Sequence, residues 1–213
     1  VKHTISFVNI YQKKGSSMKL PEIIINILQK NIMMRVFVAI EITNNDVINS
    51  IKEFQENVNI DAKPVELKSL HFTLQFLGEI SEEIAQKIIQ SLKTIEFSSF
   101  DVNLKEIGAF PKPKFPRVIW IGTDENGGNM LIQLSKKVEK VLEPLGFFSD
   151  KPFKPHITVF RIKKKIGDIS GELKNHKMVN FGIQRVSNIK LKKSMLTASG
   201  PIYSDLVEVN AKK

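Results

Sequence analysis

Apolar residues along this chain follow two rhythms, one of period two and one near 3.6, and the alternation between them predicts its elements. From Met34, "MRVFVAIEI" is apolar at nearly every position (Val36, Phe37, Val38, Ala39, Ile40), the pattern of a buried strand. In "NNDVINSIKEFQENV", Val47, Ile48, Ile51, Phe54 and Val58 fall at helical spacing, with candidate caps between Thr43 and Asp46. "LHFTLQFLG" alternates. His71, Thr73 and Gln75 are expected on one face and Phe72, Leu74 and Phe76 on the other, with Gly78 closing the strand. "SEEIAQKIIQSLKTI" has Ser81 as N-cap and carboxylates in its first turn, which predicts a helix.

The second half repeats the scheme. "FDVNLKEIGAF" and "RVIWIGT" read as strands around an exposed loop, "PKPKFP" (Pro111 to Pro116), whose prolines cannot donate to a ladder. "ENGGN" reads as a turn, and "NMLIQLSKKVEKVLEPLG" as a long helix stopping near Pro144 and Gly146. "HITVFRI", "FGIQRVSNIKLKKSML" and "IYSDLVEV" read as strands, the last two forming a hairpin around "ASGP". The order predicts an α+β fold in two similar halves, an arrangement suggestive of duplication. Residues 1–33 differ from the rest. They begin with Val1, carry the loop-like "QKKGSS", and offer one short helix after Pro21. The domain is expected over 34–213, with 1–33 an extension or start-site artefact.

The composition narrows the chemistry. With no cysteine, disulfides, thiolate metal sites and a Cys nucleophile are excluded. No run of eighteen apolar residues exists, so no transmembrane helix is expected, and the cytoplasm is the default compartment. A net charge of +10 favours anionic partners such as nucleic acid, although a lysine-rich surface accounts for it equally well. "ENGGNM" lacks the spacing and the lysine of a P-loop, which leaves ATP use unsupported.

Two of the four histidines stand in the same frame, His-apolar-Thr-apolar, at His71 to Leu74 and at His156 to Val159. On strands, His71 and Thr73 point one way, roughly 6 to 7 Å apart, while Phe72 and Leu74 anchor the other face; His156 and Thr158 repeat this. Two imidazoles with ordinary pKa values near 6.5 suit acid–base work, one accepting a proton and one donating, and threonine hydroxyls can hold phosphoryl oxygens. A single such histidine would more often be a satisfied core residue. A zinc site is the rival, but two histidines without carboxylates nearby are too few ligands. His3 and His176 lack the frame and read as surface residues.

"MRVFVAIEI", "LHFTLQFLGE", "PRVIWIG", "FKPHITVFRI" and "GPIYSDL", in that order, resemble the 2H phosphoesterase superfamily, and within it the 2′-5′ RNA ligase family, also called RNA 2′,3′-cyclic phosphodiesterases. The resemblance runs from about Met34 to the C-terminus. It implies a bilobal fold with two antiparallel sheets and flanking helices around a central cleft. It implies hydrolysis of RNA 2′,3′-cyclic phosphate ends, tRNA fragments or short oligonucleotides, to 2′-phosphates, with no metal and no cofactor, by a protein expected to be a monomer. It gives His71 as proton donor to the leaving 3′ oxygen and His156 as the base that activates water. Thr73 and Thr158 would hold phosphate oxygens and Arg161 would contact a phosphate. Reversible 2′-5′ ligation would use the same site, and a non-catalytic RNA- or nucleotide-binding module on the same fold is the alternative. Phe72, Phe76, Phe110, Phe115 and Phe153, near the motifs, invite a base-stacking reading, but most are better explained as core, Phe115 being the one expected outside. Lys112, Lys114 and Lys163 to Lys165 could track an RNA backbone or form a solvated face.

Overall fold

The computed structural model describes residues 33–198 and 200–212. The predicted helix after Pro21 and His3 lie outside the described residues, as does the expected extension apart from Met33. The described elements are β1 (Met34–Glu41), α1 (Asn45–Asn57), β2 (Lys63–Pro64), β3 (His71–Ile80), α2 (Glu82–Leu92), β4 (Phe100–Phe110), β5 (Val118–Thr123), α3 (Glu125–Leu142), β6 (Ile157–Arg161), α4 (Ser170–Asn175), β7 (Asn180–Val186), β8 (Asn188–Leu196) and β9 (Pro201–Asn210). The strands form one sheet in the order β7-β4-β5-β6-β3-β1-β8-β9, with the two-residue β2 added beside β6. Every pairing between these strands is antiparallel. The sheet is two four-stranded halves, and a single residue pair, Phe72 with Ile157, joins them. The second half, β4 to β7, is contiguous in the chain; the first takes β1 and β3 from one side of it and β8 and β9 from the other.

Core residues alternate along the strands onto one face. Val36, Val38 and Ile40 of β1, Phe72 and Leu74 of β3, Ile119 and Ile121 of β5, Ile157 and Val159 of β6, and Ile189 and Leu191 of β8 all join one cluster. Val47, Ile51 and Phe54 of α1, Ala85, Ile88 and Leu92 of α2, and Leu131, Leu134, Val138 and Leu142 of α3 complete it. The helices therefore cover one face of the sheet. The intervening strand residues, including both histidines, occupy the other.

The helix starts match their sequence signals. Asn44 caps α1 by accepting from the backbone N–H groups of Asp46 and Val47, and Ser81 caps α2 by accepting from Ile84. "ENGGN" is not a turn but the first turn of α3. Asp124 caps it, taking the N–H of Gly127 at 3.1 Å and that of Asn103 at 2.8 Å. The two glycines there are a packing requirement: a Cβ on Gly127 would sit 2.8 Å from Val102 Cα, and one on Gly128 would sit 2.8 Å from Thr123 Oγ1. The single strand expected over "FGIQRVSNIKLKKSML" is two, because the chain leaves β4 for β1 at Ser187. The hairpin β8–β9 forms as expected. No helix among the described residues is long and apolar enough to cross a membrane.

Candidate active site

The repeated frame meets itself at the seam. With Phe72 opposite Ile157 in antiparallel register, His71 faces Thr158 and Thr73 faces His156, so the two histidines stand on a diagonal about 7 to 8 Å apart at Cα. All four side chains lie opposite the core face. His71, Thr73, His156 and Thr158 are half-buried, while Phe72, Leu74, Ile157 and Val159 are buried beneath them.

At the last residue of each frame the strand bulges in the same way. On β3, Thr73 pairs with Ala39 and Gln75 with Val38, so Leu74 has no partner; on β6, Thr158 pairs with Trp120 and Phe160 with Ile119, so Val159 has none. The extra residue reverses the inside–outside alternation. Gln75 and Phe160 turn into the core, and Phe76 and Arg161, each five residues past its histidine, return to the histidine face. Phe76 is therefore no core residue: it is 76% exposed. The carbonyls freed at the bulges are taken by helices. Leu74 O accepts from Ser135 Oγ of α3 at 3.2 Å, and Val159 O accepts from Gln55 Nε2 of α1 at 2.9 Å as well as from the backbone N–H of Val65 at 2.9 Å. A second bulge follows at Leu77, and Gly78, at φ 75°, lies within β3 rather than ending it.

Each imidazole is fixed in the same tautomer. His71 Nδ1 lies 2.7 Å from Ser69 O, and His156 Nδ1 lies 2.6 Å from Lys154 O. A carbonyl can only accept, so in both rings Nδ1 carries the proton and Nε2 is left for chemistry. Aromatic rings brace both. His71 packs 5.0 Å from Phe37 and 5.5 Å from Tyr203, between ring centroids; His156 packs 5.0 Å from Phe110 and 6.4 Å from Trp120. Trp120 lies close over Gly108, where a Cβ would come 2.1 Å from its Cζ2.

Burial makes both rings resist protonation. It pushes His71 down to about 4, helped by the positive charges of Lys192 and Arg161 and opposed by the Ser69 hydrogen bond and Glu41. Burial also lowers His156, against the Lys154 hydrogen bond. Beside His71 runs an ionic cluster. Lys190 Nζ binds Glu41 at 2.6 Å and Asp205 at 2.8 Å, and buried Lys192 binds the same two carboxylates. For Glu41 and Asp205, burial favours the neutral acid, but the two lysines outweigh it and hold both carboxyls below their usual range.

Of the residues expected from sequence, the structure brings His71, Thr73, His156 and Thr158 together. Arg161 lies on their face, close enough for its charge to act on His71 and Tyr203. The structure adds Phe37, Tyr203, Trp120 and Lys192, none of which sequence spacing could tie to the frame. Phe72 is buried in the core, Phe110 supports His156, and Phe153 is half-buried. Phe115 is exposed as expected, with Lys112 Nζ 5.4 Å above its ring. His176 departs from its surface reading: it packs 5.2 Å from Phe54 and 3.4 Å from Glu172. Among the described residues, no group of three or more His, Asp or Glu is placed to hold a metal ion.

Residues 40–120 match a family model described as LigT like Phosphoesterase. An Archaeoglobus fulgidus protein named RNA 2′,3′-cyclic phosphodiesterase is 38% identical over 175 residues, covering 81% of this chain and 98% of that one. A Methanocaldococcus jannaschii protein of the same name is 38% identical over 181 residues, 82% of this chain and 99% of its own. Among solved structures, a Thermus thermophilus protein superposes with a TM-score of 0.70 at 29% identity, over 83% of this chain and 97% of that one. Escherichia coli LigT in complex with 3′-AMP gives 0.69 at 24% identity, over 85% and 100%, a likeness of fold.

Proposed function

This chain belongs to the LigT-like phosphoesterases, and from that premise we propose that it opens RNA 2′,3′-cyclic phosphates by proton transfer between His71 and His156, without a metal ion. One observation carries the reading: two imidazoles from the two half-sheets share a tautomer and present both Nε2 atoms on one face of the seam.

The steps balance with these groups alone. His156 Nε2 takes a proton from water as its oxygen attacks phosphorus. The P–O3′ bond breaks, His71 Nε2–H gives its proton to O3′, and a 2′-phosphate remains. Both rings are held neutral before substrate arrives, which suits the base at once. The acid takes up its proton with the phosphate anion, whose negative charge offsets Arg161 and Lys192 beside His71. Thr73 and Thr158 supply hydroxyl donors to the non-bridging oxygens, and Arg161 a charged one. With a 5′-hydroxyl in place of water, the same transfers in the same direction would join RNA ends through a 2′-5′ linkage, and their reversal would cleave it; water's abundance favours hydrolysis.

The test is an RNA ending in a 2′,3′-cyclic phosphate, incubated in EDTA with wild type, His71→Ala and His156→Ala. A 2′-phosphate from the wild type, lost in both variants, is expected. Replacing the bridging 3′ oxygen with sulfur separates the roles, since a thiolate leaves unaided: His71→Ala regains turnover and His156→Ala does not. Product only on adding a divalent cation would overturn the reading. Binding without turnover would replace it with a nucleotide-binding module.

A further inference from the structure

Two basic loops meet at the end of the sheet toward which β6 runs. Residues 111–117 join β4 to β5, and residues 162–169 join β6 to α4. Backbone hydrogen bonds tie the loops together. Ile162 N–H donates to Arg117 O at 2.9 Å, and Ile169 N–H donates to Pro113 O at 3.2 Å. The loops carry six cationic side chains, Lys112, Lys114, Arg117, Lys163, Lys164 and Lys165, all exposed, against one carboxylate, Asp168. Asp168 is already engaged: it accepts from the backbone N–H of Ser170 at 2.8 Å and from its Oγ at 2.5 Å. Among the described residues, none of the six cations forms a salt bridge. Like charges held together without counter-charges repel one another, and an anionic partner relieves that repulsion. A solvated lysine face accounts for the charge but not for its place. Arg161 ends β6 and pairs with Val118 at the start of β5, so one loop begins beside it and the other ends beside it. The six charges therefore continue a line that starts at His156 and passes through Arg161.

We infer that the two loops form a ridge that takes backbone phosphates of the RNA strand leading 5′ from the cyclic end, so that oligonucleotides are preferred to mononucleotides; this rests on the phosphodiesterase reading above. The cyclic phosphate stands at the 3′ terminus, so the rest of the strand leaves the histidines in the 5′ direction only. A cyclic mononucleotide carries one phosphate, and the histidines hold it. Further cations in line with them can serve only further phosphates, and those come with added nucleotides. The five residues from His156 to Arg161 span about 13 Å of strand once the bulge is discounted, and the ridge lies beyond. Lysine is a point charge without the planar fork that reads a base edge, and phosphate contacts carry no sequence information. The preference is therefore for length, not sequence, and salt weakens it as counterions compete for the strand.

The experiment measures kcat/KM for a 2′,3′-cyclic mononucleotide and for a single-stranded decanucleotide ending in the same cyclic nucleotide, between about 50 and 200 mM salt. It compares wild type with a variant carrying Lys163→Gln, Lys164→Gln and Lys165→Gln. A control variant removes the same charge from the helix side, with Lys93→Gln, Lys136→Gln and Lys140→Gln. The decanucleotide-to-mononucleotide ratio is expected to fall about ten-fold in the loop variant at the lowest salt, and its log–log salt slope to become shallower by about 2, as loss of three phosphate contacts on a single strand gives. The control variant should keep both the ratio and the slope. An unchanged ratio in the loop variant overturns the ridge, as does an equal loss on both substrates or an equal fall in the control, which would mark an effect of net charge alone. A wild type that turns over neither substrate removes the phosphodiesterase reading. Anisotropy of a labelled decanucleotide then judges the ridge separately: a salt slope of binding that the loop variant shares with wild type overturns it.

Discussion

Protonating His71 in the folded protein should cost stability that its replacement does not lose. The ring drops from an ordinary 6.5 to about 4 because it is buried, with Lys192 and Arg161 near it. The unfolded chain binds the proton from 6.5 downward and the folded chain only near 4, so acid favours unfolding across that window. The full difference is about 3 kcal/mol, and about 2.5 kcal/mol of it is reached by pH 4.5. Above pH 7 the group contributes no pH dependence. Urea unfolding of the wild type and of His71→Gln, at pH values from 7.5 to 4.5, isolates this one group. The carboxylates of Glu41 and Asp205 titrate in both proteins and cancel in the comparison. The wild type should lose about 2 to 3 kcal/mol more than the variant between pH 7.5 and 4.5. Parallel losses would show that His71 titrates as in water and that burial does not hold it neutral.

Four further substitutions have expected outcomes. Gly108→Ala drives a methyl into Trp120, which then tilts against His156; thermal or urea unfolding should show a loss of about 1 to 3 kcal/mol together with reduced kcat. Gly167→Ala, with open space around it, should change neither. Lys192→Met leaves Glu41 and Asp205 with Lys190 alone, and should cost about 3 kcal/mol in denaturant midpoint experiments while raising the His71 titration seen by NMR. Ser135→Ala strips the buried Leu74 carbonyl of its partner and should lower stability by about 1 to 2 kcal/mol in the same assay.

The grouping of the candidate site residues was legible in the sequence because it obeys period two over four residues. His71, Thr73, His156 and Thr158 needed only strand alternation to share a face. The fold class was legible for the same reason, since apolar spacing marks the long helices and most strands. Phe76 and Gln75 exchanged sides because a bulge inserts a residue without changing composition. "ENGGN" looked like a turn because glycine marks both a bend and a close helix–strand approach, and only the position of Val102 distinguishes them. Phe37, Trp120, Tyr203 and Lys192 reach the histidines through pairings that span much of the chain, a relation that no local pattern encodes.

The two bulges are strapped in exchange. Helix α1 precedes the first frame yet secures the carbonyl behind the second, while α3, from the second half, secures the one behind the first. Neither half-sheet completes its own motif strand. Half a molecule would therefore have a free carbonyl under its imidazole and no folded reference for the other ring. Melting is then a single event shared by both halves, and the spacing of the imidazoles holds until that event. Heat and denaturant should abolish catalysis and structure at the same midpoint, with no folded but inactive species between them.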